Sequence, residues 1–498
     1  MAHADDNLRD GAGLALTLGV LGAAYARTLA PGVTWANDGA DSGDLVTAAA
    51  TLGVAHPTGY PTYVLLARLF QAIPLGDLAF RTNLLSAAAA LGAALLVFLI
   101  VRRLLDGSRW RATVAATVAA IALGLSPVFW SQAVIAEVYS LNALFVAAIV
   151  LFALQELERP GASAGRAGAA KGLLAGLALG NHVTVALPAL LWLGAAGLRG
   201  GPDGPRARLA RLLWPLAGIG AGLLVYLYLP LRARAHPPVN WGDPQGWDGL
   251  WWVVSGRLYR GLAFGVPAAF VGGRVEAWAS LLARQFGLAG LIAGCAGLVY
   301  GAARARPFVW LTLGIAAATS AFAIGYDTAD SYAYLIPLYL IFAIWVGLGV
   351  ERLLALAGRW GAYGPAVVAV GLAGLLAWRG VGALPGADAS QDRDAIVFAE
   401  RALAAAPPGA IVLTTEDRDS FALSYYRYAL GARPDVVVVI EPLLQFEWYR
   451  RNLRAVAPSL RVPEQPGATW QAALAEANGG AGRVCRSDPA AAAPLTCD

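Results

Sequence analysis

Charged residues are scarce in this chain. Asp, Glu, Lys and Arg make up 14% of its 498 residues, against 58% hydrophobic ones, and mean hydropathy is +0.58. That scarcity argues against a soluble globular domain and places the chain among polytopic membrane proteins. The net charge of +5 is small for the length, and the basic residues, nearly all Arg, fall in short clusters between apolar runs. This is the pattern of membrane topology rather than of a nucleic-acid surface, so no nucleic acid is expected as a partner. The three cysteines, Cys295, Cys485 and Cys497, include no Cys-x-x-Cys pair, which argues against a thiolate zinc site. No Walker A motif, Rossmann glycine fingerprint or His-Glu-x-x-His is present. A nucleotide-driven pump and an intramembrane zincin are thereby disfavoured. No cleavable leader is read at the start, so the first apolar run is expected to be retained.

Long apolar runs are what the chain has instead. A span needs about 20 apolar residues. Runs at 11–30, 82–101, 113–130, 138–155, 212–230, 281–302, 307–325, 332–350 and 362–379 meet that need. The stretch 172–198 is interrupted by Asn181-His182 and Pro188. Basic clusters at Arg102–Arg111, Arg159–Lys171, Arg199–Arg211 and Arg304–Arg306 share one side only if this stretch enters and leaves there. It is therefore read as two short helices, 172–181 and 183–198, giving about 11 membrane segments. The loops 31–81, 131–137, 231–277 and 326–331 then face outward, as does the tail after 380.

From about 385 the pattern changes. Ala410–Thr415 and Asp435–Ile440 read as strands, with a helical pattern over Ser420–Leu430 between them. The expected division is a membrane domain, 1–380, and a small soluble α/β domain, 381–498. On the outer side Cys485 and Cys497 are compatible with a disulfide, or with two free thiols in a frayed tail.

The unusual polar residues gather on the outer loops. Asp41-Ser-Gly-Asp44 has two carboxylates on one face if helical. One suits a general base and the other a hydrogen-bond or metal partner, while a plain N-cap is the bland alternative. The residues that follow suggest a short amphipathic helix along the membrane surface. His56-Pro-Thr-Gly-Tyr60-Pro61 is a stiff turn whose histidine suits a phosphate or hydroxyl, or is simply structural. Glu137, with Tyr139 and Asn142, caps a helix or lines a cavity, and Asn181-His182 is the analogous polar break. On the third outer loop, Arg232, Arg234, Asn240, Trp241 and Asp243 are followed by Arg257 and Arg260 among Trp247, Trp251 and Trp252. These arginines suit a lipid phosphate or merely snorkel. Tyr326–Tyr332 adds Asp327 and Asp330.

In order and place, these motifs, with Arg81-Thr-Asn83-Leu-Leu-Ser86, Trp130-Ser-Gln-Ala133 and Leu229-Pro-Leu-Arg232, span roughly residues 30–260. They resemble a family of polytopic membrane proteins related to the protein O-mannosyltransferases, within the GT-C glycosyltransferase superfamily. Two departures stand out: the acids are separated by two residues rather than adjacent, and Asp44 stands where relatives often have Glu. The resemblance implies a GT-C-like fold and transfer of a sugar, such as mannose, from a polyprenyl-phosphate donor to a protein or glycan hydroxyl by inverting displacement. It implies Asp41 or Asp44 as base, with the cation-bearing third loop at the leaving phosphate. A carboxylate pair is also compatible with Mg²⁺ or Mn²⁺. The expected location is a bacterial plasma membrane, with the site and C-terminal domain extracytoplasmic. A transporter or flippase of lipid-linked glycans is the alternative, but it calls for inverted repeats and midplane polar groups that are not evident. A scaffold role leaves the Asp41–Pro61 cluster unexplained.

Overall fold

The computed structural model describes residues 2–105, 108–198, 205–480 and 483–497. Arg199, counted above in a basic cluster, lies outside them. The membrane part is built from α1 (Ala2–Thr28), α2 (Ser42–Thr51), α3 (Pro61–Phe70), α4 (Leu78–Leu104), α5 (Arg109–Gly124), α6 (Pro127–Ala133), α7 (Val138–Glu158), α8 (Gly165–Leu179) and α9 (Ala186–Leu198). It continues through α10 (Pro205–Leu223), α11 (Tyr228–Ala233), α12 (Trp247–Val254), α13 (Ala268–Arg304), α14 (Arg306–Gly325), α15 (Ile336–Ala357) and α16 (Gly364–Ala387). Among the described residues seven helical stretches are long and apolar enough to cross a membrane, or eight if α5 and α6, bent by 69°, form one broken span. The eleven segments read from the apolar runs are more than length and composition establish. Helices α1, α8 and α9 fall outside that set.

Local signals explain the helix ends. Asp77 caps α4 by accepting the Phe80 N–H at 2.7 Å. Pro127 starts α6 after the bend. The break at Asn181-His182 is where α8 has ended, and the Asn181 amide donates to the Val138 carbonyl. In α13 the backbone kinks at Gly287. Arg379 of α16 donates there to the carbonyls of Arg284 and Gln285, at 2.6 and 3.1 Å. Carbonyls near a break at membrane depth need such a partner. Helices α8 and α10 touch through glycine. A Cβ at Gly172 would lie 2.1 Å from the Pro215 carbonyl oxygen, and one at Gly218 2.1 Å from that of Ala169. Small residues four apart let two backbones meet where lipid supplies no hydrophobic drive.

Helix α2 corrects one expectation. It is not an amphipathic surface helix with one face free for lipid: Ser42 through Ala49 are all buried. Its walls are α3, α4 and the C-terminal unit.

That unit begins at α17 (Asp394–Ala405) and holds a four-stranded sheet in the order β2-β1-β3-β4. Strands β1 (Ile411–Thr414) and β2 (Val437–Ile440) are parallel, with Ile411 opposite Val437. They are joined through α18 (Asp417–Ser424), as the sequence pattern anticipates. Strand β3 (Val484–Ser487) is parallel to β1, and β4 (Leu495–Cys497) is antiparallel to β3. Cys485 and Cys497 are directly opposite and disulfide-bonded. Helices α19 (Glu447–Val456) and α20 (Trp470–Ala477) complete the unit. It is tied to the first loop by Asp392, whose Oδ2 accepts from the Thr34 hydroxyl and from the Trp35 and Ala36 backbone N–H groups. The Asn240 amide donates to Asn452 at 3.1 Å, which ties it to the third loop as well.

Candidate active site

Asp41 ends a 3₁₀ turn, Ala36–Asp41, and immediately precedes α2, while Asp44 lies in the first turn of α2. The helical spacing turns both acids toward one imidazole. His56 is buried, and its Nδ1 donates to Asp44 Oδ2 at 2.8 Å. The His56 backbone N–H donates to the same oxygen at 2.9 Å, and the Trp241 indole N–H reaches Asp44 Oδ1 at 3.0 Å. Asp44 is thus buried and engaged by three donors. Asp41 differs. Its Oδ2 lies 3.6 Å from His56 Nε2, and its side chain is 39% exposed.

The electrostatics follow from this sandwich. Burial by itself lowers the His56 pKa, but Asp41, Asp44 and Glu137 outweigh it and push it up to about 9. The ring is therefore an imidazolium at neutral pH. Burial holds Asp41 above the ordinary carboxylate range; His56 opposes this, and Asp44 and Asp330 add to it.

Asp41 opens onto a cavity of about 510 Å³. One wall is His56, Tyr60, Tyr139 and His182. Tyr60 has a left-handed φ of 41° and stacks on His182. His182 Nδ1 accepts the Thr184 N–H, which leaves the neutral ring's proton on Nε2. A second wall is Ser255, Tyr259, Arg260 and Ala263, and a third is Tyr326, Asp330 and Tyr334. Asp38 sits at the rim and accepts from the Tyr332 hydroxyl. Asp417 and Phe421 of α18 close the remaining side.

The other residues singled out in the sequence are supports. Glu137 is buried and caps α7 through its contact with the Val138 N–H. Asn142 donates to Thr184 at 3.3 Å, which braces the His182 turn. Arg232 donates to the Leu52 and Thr51 carbonyls at the end of α2, so it holds a helix end rather than a phosphate. Arg234 and Arg257 are exposed and do not line the cavity. Of the four arginines expected at the leaving group, Arg260 alone lines it, lying over the Trp251 ring at 5.7 Å. Asn240 and Asp243 are buried and join the third loop to α19, with Asp243 accepting from Asn240 and from Arg451. A parallel bridge between Val54 and Asn240 brings Trp241 to Asp44.

Sequence reasoning missed Asp38, Tyr259, Tyr334, Asp417 and Phe421 as cavity residues. For Asp38 a signal existed, since Asp38, Asp41 and Asp44 repeat every third residue. For Asp417 and Phe421 there was none. Among the described residues no group of three or more His, Cys, Asp or Glu is placed to hold a metal ion.

Comparison with known proteins agrees with the resemblance read above. Residues 41–196 match the family model "Protein O-mannosyl-transferase TMEM260 N-terminal domain". The chain is 29% identical to mouse protein O-mannosyl-transferase TMEM260 over 463 residues, covering 85% of this chain and 62% of the relative. It therefore spans less than two thirds of that protein's length. A Dictyostelium discoideum protein of the same name is 31% identical over 129 residues, 25% of this chain and 15% of the relative. Among solved structures, ArnT from Cupriavidus metallidurans bound to undecaprenyl phosphate superposes with a TM-score of 0.56 at 14% identity, covering 90% of this chain and 95% of that one. The Archaeoglobus fulgidus oligosaccharyltransferase superposes with a TM-score of 0.51 at 13% identity, covering 95% and 68%. The chain thus resembles the family related to the protein O-mannosyltransferases, and its membrane part has the GT-C fold. It is an integral membrane protein. The bacterial location expected from the sequence has no support here, because these sequence relatives come from mouse and Dictyostelium.

Proposed function

We propose that this chain is a glycosyltransferase that moves a sugar, mannose by its resemblance, from a polyprenyl-phosphate donor to a polypeptide hydroxyl on the extracytoplasmic face. The observation that carries this reading is the division of labour between the two acids. Asp44 is engaged in holding His56, and Asp41 is the carboxylate of the motif that opens to the cavity. Asp41 takes the acceptor hydroxyl proton as the oxygen attacks the anomeric carbon. The carbon–oxygen bond to phosphate breaks on the opposite face, and the electron pair leaves with the lipid phosphate. The product is inverted at that carbon.

The surroundings suit this chemistry. Exposed Trp247, Trp251 and Phe264 mark the side on which a lipid tail would lie. Arg260 on that wall is the cation available to the leaving phosphate. His56, positively charged at neutral pH, offsets one of the two acids and keeps Asp41 in place. The ArnT relative of this fold binds undecaprenyl phosphate, which supports a lipid-linked donor here. Helices α1, α8 and α9 complete the bundle as further membrane segments in this reading. A divalent cation held near Asp41 is a further part of the proposal, tested by chelator treatment.

The test is turnover by the full chain in nanodiscs with a panel of radiolabelled polyprenyl-phosphate sugars. Wild type is expected to release or transfer label from one donor, and Asp41→Asn to lose about two to four orders of magnitude of that rate, the usual worth of a general base. Binding of donor with no turnover would favour a transporter, and no binding of any donor would remove the reading.

A further inference from the structure

Asp417 has no part in the chemistry above, yet it lines the same cavity as Asp41. Its position is closely set. The neighbouring acid, Asp419, is occupied, accepting from the N–H groups of Thr415, Glu416 and Ser420 at 3.1, 2.9 and 2.9 Å and from the Ser487 hydroxyl. These bonds fix the first turn of α18. Phe421, one turn beyond Asp417 and so on the same face, lies with its ring nearly parallel to that of His56, 6.4 Å away. The Phe421 backbone rests on Gly43, where a Cβ would stand 2.5 Å from the Phe421 carbonyl oxygen. The Asp41-Ser-Gly-Asp44 motif is thus the seat on which α18 sits, and Asp417 reaches the cavity with no side-chain or backbone donor from the described residues assigned to it.

The walls differ in what they can meet. Arg260 lies over Trp251, one of the exposed tryptophans that mark the lipid side in the proposed reading. Helix α18 belongs to the C-terminal unit, and Asp38, Asp41 and Asp330 line the same cavity with like charge. Coulomb attraction across such a wall favours a cationic segment.

We propose that Asp417 is a specificity-determining residue that selects polypeptide acceptors carrying Lys or Arg beside the attacking hydroxyl. This rests on the glycosyltransferase reading. The bond is a charge-assisted one from an ammonium or guanidinium to the Asp417 carboxylate, and it holds the acceptor oxygen over Asp41.

The experiment uses the full chain in nanodiscs, the donor that wild type turns over, and synthetic dodecapeptides with one central Thr flanked by Lys, Ala or Glu. Wild type is expected to show a KM for the Lys-flanked peptide about tenfold below that for the Glu-flanked one, the scale of one hydrogen bond to a charged group. In Asp417→Asn that ratio should fall toward one, chiefly by a rise in KM for the Lys-flanked peptide, with kcat reduced no more than about threefold. Asp417→Glu should restore most of the preference. An unchanged ratio in Asp417→Asn, or equal loss of kcat with all peptides, overturns the inference and leaves the glycosyltransferase reading standing. Failure of wild type to turn over any donor overturns both, and donor release to water separates that case, since it needs no peptide.

Discussion

At the scale of single residues, the imidazole between two carboxylates has a consequence for stability. His56 has an ordinary value of 6.5 and is pushed up to about 9; burial works against the rise, while Asp41, Asp44 and Glu137 produce it. A group raised on folding contributes stability that is fully present below pH 6.5 and is lost as pH climbs through 9. The shift corresponds to a few kcal/mol, on the order of 1.4 per pH unit. Asp41 has the opposite sense: an acid raised on folding costs stability once pH passes its ordinary value of 3.8. That loss sets in as pH rises past 3.8, whereas the His56 contribution is lost through 9. The rings of Tyr60, Trp241 and Phe421 that also face it carry no charge in this window. The melting temperature in nanodiscs should therefore fall by roughly several degrees between pH 6.5 and 9, and His56→Asn should flatten that slope while starting lower. Parallel slopes in the two proteins would show that the imidazolium is not what holds the motif together.

At the scale of elements, the contact of α2 with α18 decides whether the cavity closes. Gly43→Ala should raise the intrinsic helix propensity of α2 by about 1 kcal/mol. Its Cβ, however, meets the Phe421 backbone at 2.5 Å, and backbone cannot rotate away. The expected outcome is faster amide exchange over residues 417–424 and a transfer rate at least about tenfold lower, because a misplacement near 1 Å is costly to a reacting geometry. Unchanged exchange with unchanged rate would mean that the two helices slide without consequence. This junction also marks how far the sequence could be read. Asp41, Asp44 and His56 were legible because short spacing and a Pro/Gly turn hold them together. The break at Asn181-His182 and the strands β1 and β2 were legible because polarity and β-branching change abruptly there. Asp417 and Phe421 were not, since only the closure of a distant helix brings them to Asp41. The arginines of the third loop were misleading for another reason. Arg232 bonds carbonyls and Arg260 faces a cavity, and nothing in the spacing of either distinguishes the two.

At the scale of the whole molecule, the polar ends of the bundle are unlike. One end carries the cavity, the contact of Asp392 with the first loop, the Asn240–Asn452 contact and the C-terminal sheet. The other carries cations matched to acids: Arg102 with Asp10 at 2.8 Å, Arg103 with Glu158 at 2.6 Å and Arg111 with Glu351 at 3.7 Å. Basic residues clustered in short loops orient toward the cytoplasm. In the proposed orientation the cavity and the sheet share the opposite compartment, one in which a disulfide between Cys485 and Cys497 would persist. Single cysteines test this directly. Cys295 is the free thiol among the described residues, so Cys295→Ala gives a background without a reactive one. Ser459 lies exposed in the C-terminal unit and Ala164 exposed between α7 and α8. A membrane-impermeant maleimide added to intact cells should label Ser459→Cys and spare Ala164→Cys, until detergent opens the membrane and both react. The reverse pattern would turn the molecule over and place the cavity on the cytoplasmic leaflet. There nucleotide sugars are at hand and a lipid-linked donor is no longer required by location, so this one labelling experiment bears on the orientation and on the chemistry of the donor together.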